Sequence, residues 1–190
     1  MRSVAVVPAA GSAERFGGAK LLAPIDGRPL LDHTIDALLD GGVDTVIVVT
    51  APGADALERD VNAFGDPRVW PVENPDPSRG MFSSLQAGLA EANGDAIVVL
   101  PADMPFVRPD TVRTLLEAFA ARPAIVSPRY QGKRGHPVIL PADLRDELRA
   151  ADPALTLHDI LKRHPDQRVD LDVADRGVVR DVDTVGDLPG

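Results

Sequence analysis

The segment Ile97-Val98-Val99-Leu100 is apolar at every position rather than at every second one. A strand with one wet face alternates, whereas one that is apolar throughout must be covered on both sides, as in a parallel sheet between helices. Similar β-branched runs occur at residues 4–7, 45–50, 69–72, 96–100, 124–127 and 138–140. Between them lie stretches with helical apolar spacing, at residues 29–40, 54–64, 83–92, 111–121 and 142–150. Strand and helix alternate, which predicts an α/β fold: a three-layer Rossmann-like sandwich on a mostly parallel sheet. Residues 138–140 and 178–182 are expected as antiparallel additions. The 190 residues suit one domain spanning 1–190, a length that buries roughly 70% of the unfolded surface.

Cysteine is absent, so any metal must be held by oxygen or imidazole. The net charge of −9, from 29 acidic and 20 basic residues, argues against nucleic acid or an anionic membrane as partner. The N-terminus runs straight into a strand without a cleavage pattern, and no apolar span of ~18 residues occurs. The expected location is the cytoplasm. A phosphorylated substrate would then need a local basic site.

In such sheets ligands bind beyond the carboxyl ends of the strands. The loop after the first strand reads Pro8-Ala9-Ala10-Gly11-Ser12-Ala13-Glu14-Arg15-Phe16-Gly17-Gly18-Ala19-Lys20. Small residues let backbone N–H groups approach phosphate oxygens, and Arg15 and Lys20 add positive charge. It matches neither a Walker loop nor the dinucleotide fingerprint; read alone, it is also a surface turn with two solvated cations. After the fourth run, Pro101-Ala102-Asp103-Met104-Pro105 holds one carboxylate between two prolines. That suits Mg²⁺, which favours one or two carboxylates plus substrate phosphates, although Asp103 could equally cap a turn.

Three further segments carry candidate chemistry. Asp181 and Asp183 would face one side of an extended backbone and offer a second metal ligand, or a cap for a terminal helix. In Asn74-Pro75-Asp76-Pro77-Ser78-Arg79-Gly80-Met81-Phe82-Ser83-Ser84-Leu85, a glycine and two serines precede a helix, an anion-binding arrangement or an ordinary serine cap. In Gln131-Gly132-Lys133-Arg134-Gly135-His136-Pro137, cationic donors stand between glycines. His33, His158 and His164 are read as structural.

In this order the segments resemble the molybdenum-cofactor nucleotidyltransferases of the sugar-nucleotidyltransferase-like superfamily, specifically the cytidylyltransferase branch, relatives of the molybdopterin-guanine dinucleotide synthases. The family's opening loop, L-A-A-G-x-S-x-R-M-G-x-x-K, is matched by residues 8–20, and its N-P-x-x-x-x-G-M-x-x-S-L by residues 74–85. Its G-D-x-P is matched by residues 102–105, R-G-H-P by 134–137 and D-I-D-T-P-E-D-L by 181–188. Departures are Pro8 for Leu, Phe16 for Met, Ala102 for Gly and Val185-Gly186 for Pro-Glu, with Ser12 displaced by one position. Ala102 would be strained if its φ were positive.

The resemblance implies a nucleotide-diphospho-sugar transferase type of fold and an Mg²⁺-dependent transfer of a nucleoside monophosphate to molybdopterin cofactor, with pyrophosphate released. Ala9, Ala10, Gly11, Arg15, Lys20 and Asp103 would bind the nucleotide, with Arg15, Lys20 and Asp103 serving catalysis. Asp103 and Asp183 would hold the metal, and Gly80, Met81, Ser83, Ser84, Arg134, Gly135 and His136 would receive the acceptor. CTP is favoured over GTP because the guanylyl branch has a second glycine where Ala10 stands. The partners implied are CTP, a molybdopterin-type cofactor and a molybdoenzyme receiving the product. Rival readings are guanylyl transfer to the same cofactor, transfer to a sugar or polyol phosphate, and a non-enzymatic chaperone that delivers the cofactor.

Overall fold

The computed structural model describes residues 1–12 and 20–183. The apolar runs pair as expected. Strands β1 (Ser3–Pro8), β4 (Thr45–Thr50) and β6 (Ala96–Val99) are buried along nearly their whole length. β1 lies parallel to both β4 and β6, and β5 (Val69–Glu73) continues the parallel set beyond β4. Successive β1 residues serve two cores: Ala5 and Val7 face one layer, Val4 and Val6 the other. This alternation between two apolar layers is why no polar period is visible in these strands.

The first layer contains α1 (Leu30–Asp40), α2 (Asp55–Ala63) and α4 (Pro109–Ala121), packing Leu38, Leu57 and Phe119. The second contains α3 (Met81–Glu91), α5 (Arg145–Ala150) and α6 (Leu157–Leu161), packing Leu85, Leu148 and Ile160. A small hairpin of β2 (Pro24–Ile25) and β3 (Arg28–Pro29) precedes α1.

The last third departs from plain alternation. β7 (Ile125–Tyr130), β8 (Lys133–Arg134), β9 (Val138–Pro141) and β10 (Arg168–Asp172) complete the sheet, whose order is β10-β7-β9-β6-β1-β4-β5 with β8 on β7. β9 runs antiparallel between β6 and β7, as expected for residues 138–140. Residues 178–182 do not form the expected strand: a 3₁₀ turn, Arg176–Val179, leads into irregular backbone. Its backbone bonds go instead to the loops it crosses, with Val178 O accepting from His136 N–H at 2.8 Å and Val182 N–H donating to Asp103 O at 2.9 Å. β10 and α6 lie outside the predicted elements. The expected helix at 142–150 is divided into a 3₁₀ turn, Ala142–Leu144, and α5. No helix among the described residues is long and apolar enough to cross a membrane.

Candidate active site

The antiparallel placement of β9 builds the site. Because β9 runs against β6, residues before β9 and residues after β6 reach the same edge of the sheet, and Val99 stands opposite Val138. His136 therefore sits beside the Asp103 turn, its Nδ1 at 3.3 Å from Val99 O. The His136-Pro137 peptide is cis. Burial lowers the imidazole pKa against the opposing pull of the Val99 carbonyl and of Asp103, so the neutral ring is favoured.

Lys20 and Asp103, 83 residues apart, meet at that edge with Nζ and Oδ2 3.2 Å apart. Both side chains are largely covered, at 10% and 23% exposure, which sets this pair apart from a solvated surface ion pair. Lys20 is fixed from behind: Ala23 N–H donates to Lys20 O, and the fully buried Leu21 accepts from Leu31 N–H. The Asp103 turn is fixed by three bonds: Ala102 N–H to Pro8 O at 3.2 Å, Thr34 Oγ1 to Ala102 O at 3.0 Å, and the bond from Val182. Ala102 is not among the positive-φ residues, which outside glycine are Asp26 and Gln131 among the described residues. The extra methyl relative to glycine therefore costs no backbone strain.

Ala9 and Ala10 are fully buried, and Ala9 N–H is committed to Val49 O at 2.8 Å. Gly11 is exposed, and a Cβ there would meet nothing within 4 Å. The outward face of the loop therefore begins at Gly11, where a phosphate has room to approach. Arg15 lies outside the described residues, as does the stretch from 184 onward.

The segment at 74–85 divides into two functions. Asn74, 3% exposed, donates through Nδ2 to Ser83 Oγ at 2.9 Å and Ser84 Oγ at 3.1 Å, and its Oδ1 accepts from Asp76 N–H. The two serine hydroxyls expected to receive an acceptor are thus buried and hold the loop to α3. Gly80, with φ of 97°, and the exposed Met81 present the surface. They border a mainly apolar cavity of about 370 Å³, completed by Pro8, Phe82, Pro101, His136, Leu157 and His158.

Arg134 does not reach this cavity as a free cation; its guanidinium grips the Asp170 carboxylate at 2.7 and 2.9 Å. Gly135 passes so close to Val178 that a Cβ would collide with the Val178 carbonyl oxygen. The same crossing chain requires Gly177, whose Cβ would strike Phe106 O. Arg180 stacks on Phe106 at 3.9 Å from the ring centroid, which anchors the approach to Asp181 and Asp183. Those two are exposed and flank the buried Val182, so both carboxylates lie on the open side of the strip that is bonded to Asp103. Among the described residues no group of three or more carboxylates or imidazoles gathers into a ready-made metal cage. A site completed by substrate phosphates is the arrangement Mg²⁺ prefers.

Sequence reasoning missed Thr34, Asp175, Ser127 and Arg168. Asp175 is 3% exposed and accepts from Arg108 N–H, Thr111 Oγ1 and Gly177 N–H, tying the crossing chain to the start of α4. The alternation Val169, Leu171 within Arg168-Val169-Asp170-Leu171-Asp172 was the available signal for β10. Of the histidines read as structural, His33 bonds Ile25 O and His164 bonds Glu147, whereas His158 lines the cavity.

Residues 5–169 match the family profile of the MobA-like NTP transferase domain. The chain belongs to that family. It is a nucleotidyltransferase domain by that membership, and its mostly parallel sheet with flanking helices is the family's Rossmann-like architecture. Among curated relatives, nicotine blue oxidoreductase of Paenarthrobacter nicotinovorans is 35% identical over 191 residues, covering 95% of this chain and 91% of that protein. A probable molybdenum cofactor guanylyltransferase of Thermococcus kodakarensis is 35% identical over 130 residues, 67% of this chain and 59% of that protein. Among solved structures, Rv0371c of Mycobacterium tuberculosis superposes with a TM-score of 0.79 at 27% identity, covering 98% of this chain and 95% of that one. Its complex with manganese superposes at 0.73 with 26% identity.

Proposed function

We propose that this MobA-like domain, acting as one unit over residues 1–190, transfers CMP from CTP to the phosphate of a molybdopterin-type cofactor and releases pyrophosphate. The observation that carries the reading is the covered Lys20–Asp103 pair at the carboxyl edge of β1 and β6, beside the apolar cavity at Gly80, Met81 and His136. Lys20, with Arg15, would neutralise the triphosphate, and Gly11 would admit it closely to the backbone. Asp103 and Asp183 would hold Mg²⁺, which when bound offsets the charge that gathers on the phosphates. Gly80 and Met81 would seat the acceptor so that its phosphate oxygen attacks the α-phosphorus as the bond to pyrophosphate breaks. Such a transfer needs positioning and charge neutralisation more than a covalent nucleophile. His136, Gly135 and Arg134 would border the acceptor, and Ser83 and Ser84 would act by fixing the loop around Asn74. The product would pass to a molybdoenzyme.

Ala10 supports CTP, whereas the T. kodakarensis relative's name supports GTP. The P. nicotinovorans relative's name attaches a redox activity to this fold, but a covered lysine–carboxylate pair at the strand edge supports metal-assisted nucleotidyl transfer more directly than hydride transfer. The deciding assay is pyrophosphate release with Mg²⁺, intact molybdopterin cofactor and CTP, GTP, ATP or UTP in parallel. Release with CTP alone establishes the reading, and GTP preference moves the protein to guanylyl transfer. Release only with a sugar or polyol phosphate replaces the acceptor. Cofactor delivery that survives both Lys20→Ala and Asp103→Ala makes it a carrier.

A further inference from the structure

A second cavity, of about 470 Å³, adjoins the acceptor cavity and shares His136, Leu157 and His158 with it. One wall is the sheet face formed by β7, β8 and β10. In the β10–β7 register Arg168 stands opposite Ile125 and Asp170 opposite Ser127, so Arg168, Asp170 and Ser127 share that face. Three arginines line the cavity. Arg129 is paired with Asp172 and Arg134 with Asp170, whereas Arg168 has no ion pair among the described residues. Its Nε is sealed from solvent without a hydrogen-bond partner, and burial together with the neighbouring Arg134 lowers its pKa from the ordinary guanidinium value against the opposing pull of Asp170. Ser127, 1% exposed, leaves its Oγ equally without a partner.

Two orphaned buried donors converge on one cavity, together with a guanidinium whose nearest opposite charge, Asp170, is already gripped by Arg134. Buried polar groups without partners are rare, and those that occur mark an occupant or a function. Water would satisfy the hydrogen bonds but not the charge. We propose that this cavity is an anion subsite, in which Arg168 and Ser127 hold a phosphate or carboxylate of the acceptor other than the group that attacks the nucleotide. The inference rests on the proposed acceptor cavity, and it specifies an acceptor with an anionic group at the end remote from the reacting phosphate.

The test is a titration of the ¹⁵N-labelled full chain with inorganic phosphate and, separately, acetate at constant ionic strength, following the Arg168 Nε–H and Gly135 amide signals. The expected result is a saturable shift at both signals that persists in Asp103→Ala, weakens at least tenfold at Gly135 in Arg168→Met, and weakens less in Ser127→Ala. Response to phosphate alone identifies a phosphate end, and equal response to acetate a carboxylate. An unmoved Arg168 signal, or a Gly135 shift undiminished in Arg168→Met, overturns the subsite and leaves the cavity to water. If Arg168→Met does not fold, Arg168→Lys, which keeps the charge and removes the Nε–H, must still weaken the Gly135 response. In turnover, Arg168→Met is expected to raise the acceptor KM at least tenfold with kcat and the nucleotide KM unchanged. Pyrophosphate release with a silent Arg168 sinks the subsite alone; an Arg168 response without pyrophosphate release sinks the proposed reaction alone.

Discussion

The two sides of the sheet are built on different terms. On the β5-β4-β1-β6 side every pairing is parallel, and the loops that carry Gly11, Lys20 and Asp103 emerge from strands already fixed by two apolar layers. On the β9-β7-β10 side the loops hold one another: the chain at 175–182 is clamped between the Asp103 loop and Gly135, and arginines are tied to aspartates across β7, β8 and β10. The contrast teaches that the loop residues proposed to take the nucleotide can be spent on chemistry because the scaffold does not depend on them, whereas those proposed to take the acceptor would have to serve binding and folding together.

Five substitutions probe that contrast. Asp103→Ala should have the largest effect, a fall in kcat/KM of roughly 10²–10³-fold, since it removes a proposed ligand of the metal that would offset the charge on the phosphates. Its unfolding midpoint in urea should stay near that of the parent protein, because the three bonds that hold the Asp103 turn do not use its carboxylate. A large loss of stability would break the claim that the nucleotide side is independently scaffolded. Gly135→Ala should show the opposite balance. Its Cβ meets the Val178 carbonyl, and overpacking of this kind costs about 1–3 kcal/mol, visible in urea unfolding. Gly11→Ala, into open space, should leave stability within about 0.5 kcal/mol while weakening nucleotide binding; equal unfolding midpoints for the two alanine variants would erase the distinction.

Asn74→Ala should cost about 1–3 kcal/mol, because it removes the amide that bonds both serine hydroxyls and leaves the buried Ser84 Oγ without its partner, while Ser83 Oγ keeps its bond to Gly80 O. The acceptor KM should rise with it as the Gly80 loop loosens. The smallest effect concerns Asp44, whose carboxylate accepts from Ser3 N–H and Oγ and is lowered from 3.8 first by that backbone bond. A depressed carboxylate adds stability above its unfolded pKa and loses it as pH falls through the folded one. The stability gap between the parent protein and Asp44→Asn should therefore be present near neutral pH and close below about pH 4. A gap that widens in acid would mean that the bond contributes nothing through the charged form.

Legibility followed the same division. The strands at 45–50 and 138–140 are readable as continuous apolar runs and the helix at 29–40 by its apolar spacing, because burial of a whole element leaves a local mark in the sequence. β10 alternates over only five residues, and α6 is five residues long with a Thr156 cap; both are too short for a period to stand out. Ser83 and Ser84 read as ligand groups because their spacing fits a helix start, and only the position of Asn74 beside them assigns their hydroxyls to the loop. Arg168 and Ser127, 41 positions apart in the chain, carry no joint signal until β10 pairs with β7.

By itself, the sequence determined the alternation of strand and helix, the two-sided covering of β1, β4 and β6, and the loops in which phosphate chemistry would lie. Tertiary structure decided that β9 enters antiparallel between β6 and β7, that Lys20 meets Asp103, that residues 178–182 cross loops instead of joining the sheet, and that Arg168 is left over beside a cavity. The physical reason is range. Hydrophobic periodicity reports which face of an element is buried, whereas strand order and the pairing of charges depend on packing between residues far apart in the chain, to which no local pattern is tied.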